Sequence, residues 1–212
     1  MLTGIEFEQK FVLDLRKCNQ IGSELSVLCL QRDHTVTGIR QFYTKNGERF
    51  RSSQMIGAPK FVKETKKSIK IGTVYSISTE CETEITETEF EEGWEKNKNR
   101  RLQKSRFTMP GRYPDHHVMV DFFYTQNPQY LGISSQPSHI YAIIAEAETM
   151  LTAETKELHL EFQLPIYLEK HILKVVNDSD PDMKIFKSTN MVDLPENIDL
   201  VERAISSLYE PL

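Results

Sequence analysis

Several short segments of the sequence alternate between apolar and charged residues with a period of two. In segment 4–14, Glu6, Glu8 and Lys10 share one face, and apolar residues occupy the other. This period is typical of a β-strand, in which successive side chains point to opposite faces. The same reasoning predicts strands at 36–44, 48–54, 73–86, 102–109, 117–124 and 140–149.

Turn and helix signals separate these segments. Asn46-Gly47 lies between two of the predicted strands, which indicates a β-hairpin. Thr86 or Thr88 can cap a helix over residues 89–99, whose first turn is acidic. Further along the chain, the pattern predicts a short strand at 157–163, a helix at 165–175 and a terminal helix at 195–208.

Composition favours one intracellular domain. No long Pro/Gly/Ser-rich stretch divides the 212 residues, so we expect a single domain over 1–212, with 190–212 as a C-terminal helical extension. No segment approaches the ~20 apolar residues of a membrane span, and the N-terminus lacks the apolar run of a signal peptide. We therefore predict a soluble, cytoplasmic protein without a membrane partner. The three cysteines lack the spacing of a zinc site.

The net charge of −5 excludes nucleic-acid binding through bulk charge, so a polyanion would need a local basic cluster. Charges are in fact sorted by strand. Glutamate pairs occur at Glu6/Glu8, Glu82/Glu84 and Glu146/Glu148, and basic pairs occur at Arg49/Arg51 and Lys104/Arg106. A solvated sheet face is the ordinary explanation of charged alternation, but such faces mix the two signs more evenly. The sorting favours charged faces that line the inside of a barrel of about eight strands.

Enclosed charges of this kind need each other, a metal ion and an anionic ligand. Carboxylates two residues apart on a strand lie ~7 Å apart, so pairs from facing strands can converge on Mg²⁺ or Mn²⁺. Arginines and lysines on other strands can hold phosphate oxygens through charge-assisted hydrogen bonds. The arrangement therefore indicates phosphoanhydride chemistry.

The order of these motifs resembles a known family. The motifs run from Glu6-x-Glu8-x-Lys10 through Arg49-x-Arg51, Thr65-x-Lys67, the glutamate strand 80–84, Lys104-x-Arg106, Asp121 and Ala145-Glu146-x-Glu148 to Lys184, just before 186–191. In this order they resemble the CYTH, or triphosphate tunnel metalloenzyme, superfamily over nearly the whole chain.

The resemblance implies a mainly antiparallel α+β fold, an eight-stranded closed β-barrel with flanking helices. It also implies one or two Mg²⁺ or Mn²⁺ ions and a triphosphate-bearing substrate, either a small molecule or an RNA 5′ end. Carried over by position, the metal residues would be Glu6, Glu8, Glu82, Glu84, Glu146 and Glu148. The substrate-binding residues would be Lys10, Arg49, Arg51, Lys67, Lys104, Arg106 and Lys184. Lys10 would also orient the attacking water, and Asp121 would position water beside the metal or orient an arginine.

Four functions fit these expectations. The first is metal-dependent hydrolysis of a triphosphate, with inorganic tripolyphosphate as the simplest substrate. The second is cyclisation of ATP, as in class IV adenylyl cyclases. The third is binding of a nucleotide, polyphosphate or RNA 5′ end without turnover. The fourth is an interaction protein whose charged strands face solvent.

Overall fold

We analysed a computed structural model of the chain. It describes residues 5–29, 33–55, 59–71, 75–111, 116–124, 140–151, 163–176, 181–187, 191 and 195–209. Within these ranges, the side chains of 5–7, 65–71, 75–80, 149–151, 181–183 and 195 lie outside the description.

In the described residues, nine antiparallel strands form one sheet. They are β1 (Ile5–Leu13), β2 (Thr35–Tyr43), β3 (Arg49–Gln54), β4 (Lys60–Ile71), β5 (Tyr75–Glu84), β6 (Arg101–Pro110), β7 (His116–Tyr124), β8 (Ile140–Leu151) and β9 (Ile172–Val176). Their hydrogen-bonded order is β5-β4-β3-β2-β6-β7-β8-β1-β9. Cα atoms of β1 and β5 approach to 8 Å or less, so the sheet curls until its first and fifth strands face each other. The predicted antiparallel fold is confirmed, with a ninth strand added beside β1.

Four α-helices flank the sheet: α1 (Cys18–Leu28), α2 (Glu87–Lys96), α3 (Ile166–Glu169) and α4 (Pro195–Ser207). The predicted helices at 89–99 and 195–208 are confirmed. Thr86 caps α2 in a capping box with Glu89, in which each side chain binds the other residue's backbone N–H. Helix α1 was not predicted, because no strong cap or charge pattern marks its start. No helix in the described ranges is long and apolar enough to cross a membrane.

The helix predicted at 165–175 is wrong. Only Ile166–Glu169 forms a helical turn, and Ile172–Val176 is strand β9, which pairs with β1. The segment is rich in β-branched residues, and a sheet edge supplies backbone partners that sequence periodicity cannot reveal. The strand predicted at 157–163 lies almost wholly outside the described residues.

The outer face of the sheet is apolar and covered by helices. Helix α1 packs through Ile21 and Leu25 against Phe11 of β1 and against apolar residues of β6, β7 and β8. Helix α2 packs through Phe90 and Trp94 against Phe42 of β2. Because the apolar face is turned towards these helices, the charged residues of the same strands occupy the inner face.

The inner face has a charged part and an apolar part. Along β1, Lys10 is followed on this face by Val12, and along β7, Asp121 is followed by Phe123. Val12 and Phe123 belong to a buried cluster with Val201 and Ile205 of α4. The terminal helix therefore covers the apolar part, and the charged part lies next to it.

Candidate active site

Strand register lines up the charged residues of the inner face. Glu8 of β1 lies opposite Glu148 of β8, and Lys10 lies opposite Glu146. Arg106 of β6 lies opposite Asp121 of β7. Directly opposite residues of antiparallel strands share a face, so these side chains meet on the inner face of four neighbouring strands. We call Glu8, Lys10, Lys104, Arg106, Asp121, Glu146 and Glu148 the central cluster.

Lys10 joins two carboxylates of the central cluster. Its Nζ donates to Glu146 Oε1 at 2.6 Å and lies 3.2 Å from Glu8 Oε1. Burial alone would lower the pKa of Lys10, but the charges of Glu146 and Glu8 outweigh burial and raise it. Burial alone would raise the pKa of Glu146, but the charges of Lys10 and Arg106 and the hydrogen bond from Lys10 hold it well below its usual range. Lys10 is therefore a permanent cation at neutral pH.

Asp121 joins two cations of the same cluster. It accepts from Lys104 Nζ at 2.6 Å, and from Nε and Nη2 of Arg106, each at 2.7 Å. Burial opposes its ionisation, but Arg106 and Lys104 lower the pKa of Asp121. Burial and the charge of Arg106 lower the pKa of Lys104 to about 8, against the opposing effect of Asp121. Arg106 Nη2 also lies 3.6 Å from Glu146 Oε2, which links the two halves of the cluster.

A second group of charges lies on β3, β4 and β5. Arg49 Nε donates to Glu64 Oε2 at 2.8 Å, and Arg49 Nη2 donates to the other oxygen of the same carboxylate. Arg51 Nη2 donates to Glu82 Oε1 at 2.7 Å and lies 3.6 Å from Glu64 Oε2. Glu64 is fully buried, whereas the side chain of Glu82 is 40% exposed. We call Arg49, Arg51, Glu64 and Glu82 the arginine cluster.

Burial decides between enclosed and solvated charges. Lys104 and Asp121 are each 4% exposed, and Glu64 is 0% exposed. Side chains on a solvated sheet face would not reach such values. The interpretation of these strands as solvated charged faces is therefore wrong for both clusters.

The predicted metal residues do not all come together. Glu8, Glu146 and Glu148 are neighbours on β1 and β8, and Glu8 and Glu146 lie within hydrogen-bonding reach of each other. Glu82 belongs to the arginine cluster, and Glu84 is exposed. Glu6 lies opposite Met150, with its side chain outside the described part. Among the described side chains, no three His, Cys, Asp or Glu residues form a metal-ligand group.

The hard carboxylate oxygens of Glu8, Glu146 and Glu148 nevertheless suit Mg²⁺ or Mn²⁺. Like charges directly opposite each other in a sheet are destabilising, as at Glu8 and Glu148, and a cation between them would remove that cost. The carboxylates of Glu8, Glu146 and Glu148 are therefore chemically suited to a divalent cation.

All of the predicted substrate residues stay predictions, and two of them are known only by their position in the fold. Lys67 lies in β4 opposite Thr79, and its side chain is outside the described part. Lys184 lies in the 3₁₀ helix Pro181–Phe186 with its side chain exposed.

Glu64 and Gln41 were missed by the sequence reasoning. Gln41 is 1% exposed, lies opposite Arg51, and donates through Nε2 to the Tyr43 hydroxyl at 2.7 Å. The only sequence signal for Glu64 is that it is a single acid within a lysine-rich strand.

No protein-family model matches the chain, and no curated protein sequence matches it. Solved structures with a similar arrangement include the inorganic triphosphatase NE1496, at 19% identity and a TM-score of 0.42, over 92% of this chain and 97% of that one. A putative adenylyl cyclase from Hippeastrum with a dominant triphosphatase activity has 16% identity and a TM-score of 0.40, over 72% and 82% of the two chains. The Schizosaccharomyces pombe Mediator head module has a chain with 13% identity and a TM-score of 0.41, over 78% and 88%.

These structures are similar to the chain only at low identity, so the placement of each side chain rests on the contacts described above. Triphosphatases are among these structures.

Proposed function

We propose that the protein hydrolyses a phosphoanhydride bond of a triphosphate-bearing compound on the charged inner face of its sheet, with the help of a divalent metal ion. The observation that carries the proposal is the enclosed central cluster. It places three cations among four carboxylates, all on one face of four adjacent strands. An excess of carboxylates attracts a metal cation, and the neighbouring cations suit a polyanion.

Glu8, Glu146 and Glu148 would hold the metal ion. When bound, Mg²⁺ or Mn²⁺ would draw charge from the phosphate oxygens and favour attack on phosphorus. Holding it requires Glu8 and Glu146 to exchange part of their contact with Lys10. Lys10 would then turn its ammonium group to the phosphates, which supply the negative charge that the carboxylates give up.

The remaining cations would bind phosphate oxygens. Arg106 and Lys104 lie on the inner face with Lys10, and Arg49 and Arg51 lie on the inner face of β3. Arg51 donates to the carboxylate of Glu82, which is half-exposed. A phosphate can replace that carboxylate without leaving a buried charge unpaired, because Glu82 can return to water.

The contacts support a role for each of the two predicted catalytic residues. Lys10 would orient water or phosphate by donating from its protonated Nζ. Asp121 already accepts three hydrogen bonds from Lys104 and Arg106. We therefore assign it the second of its two predicted roles, orientation of the arginine.

A substrate panel tests the proposal. Release of phosphate would be measured with Mg²⁺ or Mn²⁺ on tripolyphosphate, nucleoside triphosphates, thiamine triphosphate and triphosphorylated RNA. We expect turnover of tripolyphosphate. Formation of cyclic AMP from ATP would support the cyclase instead, and tight binding without product would support a non-catalytic binder. If every substrate of the panel stays intact and none of them binds, all three functions are contradicted.

Glu148→Ala tests the metal assignment. We expect a loss of turnover of at least ~100-fold and weaker Mn²⁺ binding in an electron paramagnetic resonance titration. The apolar core should be unaffected, because Glu148 lies on the charged part of the inner face. Glu95→Ala is the matched control, since Glu95 is exposed and pairs with Lys98 and Arg101, which follow α2 in the chain. Wild-type turnover and Mn²⁺ binding by Glu148→Ala would contradict the assignment.

A further inference from the structure

Glu64 is the most buried carboxylate in the described part of the chain, and neither the motifs nor the proposed reaction gives it a role. Its exposed fraction is 0%, compared with 4% for Asp121 and 6% for Asp14. An ionised carboxylate without water is costly unless charged partners bind it directly. Among the described side chains, its charged partners are Arg49 and Arg51, both of which the proposed function assigns to phosphate binding.

The geometry of the Arg49 pair is specific. Glu64 and Arg49 lie directly opposite each other on β4 and β3, and both carboxylate oxygens accept from one side of the guanidinium. A two-point contact of this kind fixes the plane of the guanidinium as well as its position. Glu64 therefore sets the directions in which the other N–H groups of Arg49 point.

Arg51 is held between two different carboxylates. Its Nη2 lies 3.6 Å from Glu64 and 2.7 Å from Glu82. Glu64 has no exposed surface, so it cannot move into water, whereas the Glu82 side chain is 40% exposed. Glu64 is thus the fixed partner and Glu82 the exchangeable one.

The charge balance allows this anchor to coexist with anion binding. Arg49 and Arg51 carry two positive charges against the one negative charge of Glu64, so these three side chains together are still cationic when Glu82 moves away. Without Glu64, the two like-charged guanidinium groups would repel each other and adopt many orientations.

We propose that Glu64 is a positioning residue that holds the guanidinium groups of Arg49 and Arg51 in place to receive the phosphate chain of the substrate. The inference rests on the proposed function, because it assumes that these arginines bind phosphate. Glu64 acts through the arginines and does not touch the substrate. Its loss therefore weakens substrate binding much more than it slows the chemical step.

Two substitutions separate positioning from simple charge. Glu64→Gln keeps the size but loses the charge, and one of its two contact atoms becomes a donor that cannot accept from Arg49. Glu64→Asp keeps the charge but is one methylene too short for the two-point contact. We expect each to raise KM for tripolyphosphate roughly tenfold, with kcat changed less than about threefold. Glu48→Gln is the matched control, because Glu48 pairs with Lys63 Nζ at 2.5 Å outside both clusters.

A double-mutant cycle with Arg49→Gln checks the route of the effect. If Glu64 acts through Arg49, Glu64→Gln should raise KM much less in the Arg49→Gln background than in the wild type. The doubly substituted protein lacks both members of the buried pair, so it leaves no buried charge without its partner. If Glu64→Gln alone fails to fold, the change in KM between Arg49→Gln and the doubly substituted protein is compared with the change that Glu64→Asp causes in the wild type.

The outcomes of this inference and of the proposed function are distinct. If the wild-type protein binds tripolyphosphate without turnover, the same comparison is made on Kd by calorimetry, and a roughly tenfold weakening is again expected. No binding by the wild type would overturn the proposed function itself. Folded Glu64→Gln and Glu64→Asp proteins with wild-type KM or Kd would overturn the role of Glu64. Wild-type behaviour of Glu64→Asp alone would also overturn it, since charge without positioning would then suffice.

Discussion

Lys104 carries its charge in surroundings that do not favour a charge. The Lys104 side chain is 4% exposed. The only described carboxylate that pairs with Lys104 is Asp121, and Asp121 also pairs with the guanidinium of Arg106. Burial and Arg106 lower the pKa of Lys104 to about 8, whereas Lys10, which faces two carboxylates, has a raised pKa. Two lysines on one inner face thus differ in chemistry because Lys10 faces two carboxylates, whereas Lys104 is buried beside Arg106 and shares the carboxylate of Asp121 with it.

The lowered pKa of Lys104 predicts a pH-dependent affinity for polyanions. Lys104 is protonated and attracts phosphate below about pH 8, and it loses this charge as the pH rises through about 8. We expect Kd for tripolyphosphate to rise between pH 7 and pH 9 in calorimetric titrations. Lys104→Arg should remove most of this rise, because an arginine stays charged throughout that range. The substituted protein also controls for titration of the ligand, so equal profiles for the two proteins would contradict the prediction.

At the scale of secondary-structure elements, close packing of α2 on the sheet depends on one glycine. A Cβ added at Gly93 would lie 2.3 Å from Phe42 Cζ. Phe42 cannot move aside easily, because it is 1% exposed, stacks on Phe50 at a ring-centroid distance of 4.8 Å, and also contacts Phe90. Gly93 therefore sets how near the helix lies to β2, although glycine is a poor helix former.

Gly93→Ala tests this packing. Helix propensity alone predicts stabilisation by ~1 kcal/mol, but the clash with Phe42 predicts a net loss of about 1–3 kcal/mol of unfolding free energy. Urea denaturation measures the difference. Glu92→Ala, at an exposed position of the same helix, should change the stability by less than ~0.5 kcal/mol. A Gly93→Ala protein as stable as the wild type would contradict the close approach.

At the scale of the whole molecule, the sheet separates two environments. Helices α1 and α2 cover its outer face, and α4 covers the apolar part of its inner face. The charged clusters are left as the part of the inner face that no described helix packs against. A metal and a polyanion together would neutralise them better than either alone, because the metal would pair with carboxylates and the polyanion with arginines and lysines.

This separation predicts cooperative stabilisation by metal and polyanion. A ligand at 100 times its Kd adds ~2.7 kcal/mol of stability, which corresponds to roughly 5–11 °C in Tm for a domain of this size. We expect Mg²⁺ and tripolyphosphate together to raise Tm by more than the sum of their separate effects in a thermal-shift assay. A chelator should cancel the metal-dependent part. Simple additivity of the two shifts would contradict coupling between the sites.

The sequence by itself determined most of the strands and the chemistry that they carry. Alternation along a strand is a local property, so Glu6/Glu8, Lys104/Arg106 and Glu146/Glu148 could be assigned to one face without knowing their neighbours. The capping signal of α2 is local for the same reason. These patterns predicted the antiparallel fold and most of the central cluster.

Tertiary structure alone decided which charges are buried and which pair. Register between strands places Glu64 opposite Arg49 and Glu8 opposite Glu148, and no periodicity along one strand contains that information. The same limitation explains β9, where a segment predicted to be helical finds backbone partners on β1. Pairing across a sheet joins residues far apart in the chain, and the free energy of burying a charge depends on those distant partners.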